Sequence, residues 1–255
     1  VTNILFLYQN QVDTASLYPT SEDNSLPANN IKNAFRQKVW EVDSPVADLV
    51  IDFGSEKAVT AVAMVNYDWA AAPNSLYLEF SASSFSPASG QTQALTWCVN
   101  PTSNSNPACI IKTFALNSSY RYARLRVHAD SAWQMGRLFL GEYFEPTHNM
   151  LHDGYGYNLN DPSILSQALC GPFLADIEAN YRSLNMQFVV RTQAQLEAFQ
   201  KMWNTVGVGK SFFLAADYDN EPNEMTMYGK LAGMMGTGYP EYGKRTLSLK
   251  FREER

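Results

Sequence analysis

Positive charge is thin along this chain: 19 Lys and Arg stand against 25 Asp and Glu, and no dense basic run occurs. With a net charge of -6 and no basic stripe there is no electrostatic source for gripping a phosphate backbone, so no nucleic-acid partner is expected. Long apolar runs are missing too. The apolar start, residues 4–8, is far too short to cross a bilayer. No basic region precedes it and no small-residue cleavage site follows, so neither membrane insertion nor an export signal is expected. Histidine occurs three times, and no Ser has the flanking glycines of a nucleophile elbow. The glycines of residues 229–243 lead into no Lys-Ser or Lys-Thr pair before a helix, which argues against a phosphate loop. The expectation is a protein that is not an enzyme and has no catalytic residue, cofactor or metal.

Two clusters bear on that expectation. His148 and His152 stand four apart beside Asp153, the spacing of two metal ligands on a helix, but Pro146 and Gly154 oppose a helix there and leave linker histidines. Asp217, Asp219, Glu221 and Glu224 offer hard oxygen ligands for Ca²⁺, yet the turn lacks the glycine of a helix-loop-helix site and reads as a solvated hairpin tip. Of three cysteines, Cys98 and Cys109 bracket a loop rich in Asn, Ser and Pro that a disulfide would close, leaving Cys170 over; three inert thiols is the other reading.

What is present is apolar and aromatic. Hydrophobic residues make up 45% of the chain and aromatics 13%, against 17% charged, a balance that suits strands and contact surfaces better than solvated helices. Ala123, Leu125, Val127 and Ala129 alternate with Tyr122, Arg124, Arg126 and His128, the period of two that sends one set to a core. After a turn at residues 130–135, Leu138 and Leu140 repeat the pattern. Earlier, residues 4–8, 49–53, 59–67 and 76–81 read as strands, as do 95–99 and 110–116 around the Cys98–Cys109 loop. A turn at residues 54–57 joins two of them. Residues 14–30, punctuated by Pro19 and Pro27, read as a loop that wraps rather than packs, followed by a helical turn near residues 33–35 with Val39 and Trp40 as anchors. Many short strands between polar turns predict an antiparallel sandwich over residues 1–145.

The order of these segments resembles the discoidin, or galactose-binding-like, jelly-roll family. The resemblance rests on Asn29 to Asn33 with Trp40, on Asp48-Leu49-Val50-Ile51-Asp52-Phe53-Gly54, on Val59-Thr60-Ala61-Val62-Ala63-Met64, and on Tyr122-Ala123-Arg124-Leu125-Arg126-Val127 before Arg137-Leu138-Phe139-Leu140-Gly141-Glu142. It implies that the strand ending in Asp-Phe-Gly and the Arg-rich strand face one another in the barrel. No residue matches the aromatic loop positions that bind lipid or sugar in many relatives.

Residues 143–157 read as a junction, and residues 146–255 as a second β-sandwich domain with one amphipathic helix. Leu184, Met186, Phe188 and Val190 share one strand face. Thr192 caps the helix with Gln195 three residues on; Leu196, Phe199, Met202, Trp203 and Val206 form its apolar stripe and Gly207 stops it. Strands at residues 211–215 and 225–231, a glycine-rich connection at 233–242, and a last strand carrying Leu247, Leu249 and Phe251 complete the domain.

This layout resembles the sandwich-plus-helix modules of phage tail and baseplate proteins, distal tail proteins among them. The resemblance implies a virion structural protein assembled in the host cytoplasm, forming a homo-oligomeric ring or collar and touching other tail or baseplate proteins. Tyr155, Tyr157, Tyr239 and Tyr242 are the interface candidates, because large rings in glycine-rich connections stand in water unless a partner covers them. The alternative is a carbohydrate-binding module for a host-surface glycan, with Tyr18 and Trp69, from the loops at residues 13–30 and 69–74, stacking on a sugar ring.

Overall fold

Alternating burial sets the strands of this mainly β protein. The computed structural model describes residues 3–68, 75–85, 91–94, 109–115, 118–151, 155–167, 173–220, 225–233, 235–241 and 244–254. Up to residue 145 the described strands are β1 (Leu5–Leu7), β2 (Ser16–Pro19), β3 (Trp40–Val42), β4 (Val46–Lys57) and β5 (Ala61–Asp68). They continue with β6 (Ser75–Ser81), β7 (Gln91–Ala94), β8 (Cys109–Thr113), β9 (Tyr120–His128) and β10 (Trp133–Gly141). Then follow β11 (Gly156–Asn160), β12 (Ile164–Gln167), β13 (Phe173–Asp176), β14 (Tyr181–Val190) and helix α1 (Gln193–Val206). The last are β15 (Phe212–Ala215), β16 (Thr226–Leu231), β17 (Gly236–Glu241) and β18 (Lys244–Glu253).

Contacts divide the chain into two units, Val1–Glu145 with Phe213–Thr226, and Pro146–Phe212 with Met227–Arg255. The sequence division at residue 145 is linear; here a short later segment belongs with the first unit, where β1 pairs with β15 in the register Leu5↔Ala215 to Leu7↔Phe213.

The first unit is a sandwich of a four-stranded sheet, β3-β10-β5-β8, and a five-stranded sheet, β2-β4-β9-β6-β7. Leu49, Ile51, Leu78, Phe80, Leu125 and Val127 from the five-stranded sheet share one buried cluster with Val62, Met64, Ile110, Leu138 and Leu140 from the other. Each such side chain contributes roughly 1.5–3 kcal/mol by leaving water. Trp40 and Trp133 meet edge to face in the same cluster at 4.9 Å. The four-stranded sheet is buried on its second face as well, where Ala61, Ala63, Val65 and Phe139 lie and Phe139 packs edge-on against Phe213 at 6.2 Å.

Arg137, buried on that second face, explains why residues 14–30 do not simply wrap. Its guanidinium pairs with Asp13 at 2.7 Å and donates to the carbonyls of Ile31 (3.3 Å) and Lys32. The Asn10 amide donates to Leu138 O (2.8 Å) and accepts from Leu140 N (3.0 Å), mimicking a strand neighbour of β10. Two 3-10 turns, Gln11–Thr14 and Ala28–Lys32, are thereby held down with Val12 and Ile31 buried, and β2 between them pairs with β4. The helical turn expected at residues 33–35 falls instead at Ala28–Lys32, entered through Pro27 and closed by Asn33.

Three further boundaries differ. The expected turn at residues 54–57 lies inside β4, where Gly54 takes φ 75° and the register with β9 shifts between Asp52 and Lys57. The expected turn at residues 130–135 is shorter, because β10 already begins at Trp133 and pairs with β3. The strand of the Asp-Phe-Gly segment and the Arg-rich strand do not face each other across the barrel; β4 and β9 are hydrogen-bonded neighbours in one sheet.

In the second unit the strand order is β16-β18-β14-β11, with β17 also along β18. The expected glycine-rich connection at residues 233–242 is thus largely a strand, and the end of the expected junction, Tyr157, belongs to β11. Leu184, Met186, Phe188 and Val190 of β14 are buried with Leu247, Leu249 and Phe251 of β18. Helix α1 packs on β14, with Phe199 5.0 Å from Phe188. Its start is a capping box: Gln195 N donates to Thr192 Oγ1 and the Gln195 side chain accepts from Thr192 N, both at 3.3 Å. Gly207, at φ 51°, ends it.

Candidate functional site

The outward face of the five-stranded sheet carries polar residues at the alternate positions of β4, β9 and β6. Registers place Asp52 opposite Tyr122, Val50 opposite Arg124 and Asp48 opposite Arg126, with Glu79 and Tyr77 beyond Arg124 and Arg126. Opposed side chains share a face, so these groups form a ladder of ion pairs. Arg126 reaches Asp48 at 3.3 Å and Glu79 at 3.7 Å, and Arg124 reaches Glu79 at 2.5 Å.

At the end of the ladder, where β4 shifts register, Arg121 sets a fork on Asp52. Nε donates to Oδ1 and Nη2 to Oδ2, each at 2.9 Å. The hydrogen bond from Arg121 holds the Asp52 carboxyl below its ordinary value, with Gly54 N adding to it, and Asp52 in turn raises Arg121. The guanidinium lies 5.0 Å from the centre of the Tyr122 ring. Tyr18, on β2 opposite Val50, leaves 58% of its surface in water, and Val50 lies two residues from Asp52 on the same face of β4. An exposed ring on a sheet face that also bears a carboxylate held by a planar donor fork suits a polyhydroxyl ligand: the ring meets a C–H face while guanidinium and carboxylate take hydroxyls.

The second unit shows a different surface. Tyr157 stands opposite Leu184 and Leu159 opposite Arg182, so both project on the face that α1 covers further along β14. Strand β11 ends that sheet, and there Tyr157 remains 41% and Leu159 62% exposed. Tyr155 precedes them, also exposed, and Ile164 (62%) and Ile177 (83%) stand out around the β12–β13 hairpin. Strand β11 contains no charged residue, whereas edge strands commonly carry one against pairing with another chain.

Of the expected contacts, Tyr18, Tyr155 and Tyr157 are exposed, in two different units. Tyr239 lies in β17, but its side chain is outside the described residues, as are Tyr242 and Trp69. His148 is exposed, while His152 and Asp153 lie outside the described residues. Asp217 accepts the Asn220 side-chain amide at 2.9 Å within its own turn, and Glu221 and Glu224 lie outside the described residues. Cys109 is buried at the head of β8; Cys98 and Cys170 lie outside the described residues. Sequence reasoning missed Arg121 with Asp52, and also Leu159, Ile164 and Ile177. Alternation in Gly156-Tyr157-Asn158-Leu159-Asn160 was the available signal for β11.

No protein-family profile matches the chain, and no curated protein matches it. Among solved structures, the chain is similar to CpGH89CBM32-6 produced by Clostridium perfringens, at 16% identity and TM-score 0.40, over 52% of this chain and 99% of that one. It is similar to chitosan-binding module 1 of a chitosanase/glucanase from Paenibacillus sp. IK-5, at 16% identity and TM-score 0.39, over 52% and 99%. A fucose-binding module of Streptococcus pneumoniae matches at 10% identity and TM-score 0.40, over 52% and 95%. Likenesses of this size carry no functional argument by themselves.

Proposed function

We propose that the first unit is a binding module for a neutral glycan and that the protein acts by recognition rather than catalysis. The observation that carries this reading is the exposed ring of Tyr18, opposite Val50 on the face of β4 that also bears Asp52 with its Arg121 fork. The neighbours named above include modules whose names state chitosan and fucose binding; for this chain the reading rests on its own side chains. Screening the purified chain against a glycan panel, with Tyr18→Ala and Arg121→Ala beside it, tests the reading. Saturable binding lost in both variants supports it, and binding untouched by both contradicts it.

A second reading, an assembly subunit, is favoured by the exposed apolar side chains Tyr155, Tyr157 and Leu159 at β11 and Ile164 and Ile177 at the β12–β13 hairpin in the second unit. Large side chains so exposed are characteristic of surfaces that a partner covers. In this reading the partner is a second copy or a neighbouring structural protein. A phage tail or baseplate is the setting that the sequence layout implies, and the virion reading rests on that layout alone. The two readings are compatible, since they use different units.

A further inference from the structure

The second unit also contains a cleft of about 600 Å³, lined by charged groups from β16 and β18, by Tyr181, and by residues including Pro162, Ala179 and Val208. Lys230 and Arg252 are register partners in adjacent antiparallel strands. Their Cβ atoms therefore stand about 5 Å apart on one face, an arrangement that is unfavourable for like charges unless a counter-charge lies between them.

The protein answers that repulsion only in part. Arg252 lies flat on Tyr181, its Cζ 4.1 Å from the ring centre, and has no ion-pair partner among the described residues. Lys230 has one carboxylate, Glu254, at 3.8 Å, and that carboxylate also accepts the Ser211 hydroxyl. Glu253, although part of the lining, is consumed by Arg182, which grips it through Nε at 2.9 Å and Nη2 at 2.7 Å. Glu178, exposed, is a further carboxylate of the lining, and Lys250 adds a cation two residues along the same face of β18. A guanidinium stacked on a ring keeps its in-plane N–H donors available, because stacking uses only its faces.

We infer that this cleft binds an anionic group, carboxylate or phosphate, bridging Arg252 and Lys230, on a ligand whose apolar body lies against Val208 and Pro162. The anion supplies the missing counter-charge, and the cleft's volume is that of a small-molecule site. This site is separate from the glycan reading and uses none of its residues.

Calorimetric titration of the full chain with phenyl phosphate, benzoate and inorganic phosphate tests the inference. Phenyl phosphate and benzoate should each saturate one site, and inorganic phosphate should bind more weakly for want of an apolar body. Arg252→Gln and Lys230→Gln should each weaken phenyl phosphate about ten- to hundredfold, the worth of one charge-assisted hydrogen bond. Lys201→Gln, on the exposed face of α1, should change nothing. Should either cleft variant fold poorly by circular dichroism, Val208→Trp, which fills the rim without touching a charge, should abolish phenyl phosphate binding. Absence of saturable binding by both aryl probes would overturn the inference. So would equal affinity for inorganic and phenyl phosphate, or affinity unchanged in all the cleft variants.

Discussion

Arg121 and Asp52 meet as two parallel hydrogen bonds of 2.9 Å across β9 and β4, at the point where the register of the two strands shifts. The pair fixes how acid acts on the candidate glycan site. Asp52 has a folded-state pKa below its ordinary 3.8, chiefly because Arg121 donates to it. A depressed carboxylate stabilises the fold above its unfolded pKa, and the contribution is lost as pH falls through the folded value. The fork should therefore persist from neutral pH through the ordinary carboxylate range and open only below it. A carbon-detected NMR titration of the Asp52 carboxyl in the folded protein should give an inflection below 3.8; one at or above that value would contradict the pairing.

The buried pair in the second unit should behave differently. Arg182 and Glu253 are both out of water and joined through three nitrogens, Nε, Nη2 and the Arg182 backbone N, so removing one partner strands a charge. Glu253→Gln is expected to cost about 3–5 kcal/mol in urea unfolding, while the apolar replacement Arg182→Met with Glu253→Leu should recover only part of that, because it takes from the backbone N–H of residue 182 the acceptor that Glu253 provides. If the double variant is as unstable as the single, the pair does more than satisfy itself.

Helix α1 offers a graded test of the second unit's core. Thr192→Ala removes one half of the capping box and should cost about 1 kcal/mol. Phe199→Ala removes the ring against Phe188 and should cost about 3–5 kcal/mol. Equal losses in chemical unfolding would mean that the helix is not held by its apolar stripe.

The elements that could be read from sequence are those whose side-chain period and local signals agree. β9 declared itself through Ala123, Leu125 and Val127, and α1 through Thr192, Gln195 and Gly207, because capping and alternation are local. Residues 14–30 read as a wrapping loop because the order around them comes from Arg137 and Asn10, whose partners lie more than 100 residues away. β10 was cut short at Gly136, where glycine marks not a turn but a close approach: a Cβ there would lie 2.4 Å from Arg36 O. Of the candidate site, Tyr18 was legible as an exposed ring in a polar stretch. The Arg121–Asp52 fork was not, since it joins residues 69 apart through a register shift.

For the exposed apolar side chains of the second unit, light scattering over a range of concentrations should find a discrete oligomer that grows in with concentration. Tyr157→Lys with Leu159→Lys should hold the chain monomeric without lowering its unfolding midpoint, because both side chains are largely exposed. A wild-type chain that is monomeric throughout would count against self-association.

The most direct test of the glycan reading is the affinity of the intact protein for the best ligand of a neutral glycan panel, compared with that of Tyr18→Ala. Saturable binding that weakens at least about tenfold on loss of the ring is the expected result. Binding of the same strength in Tyr18→Ala, or no glycan bound by the wild-type chain, would contradict it.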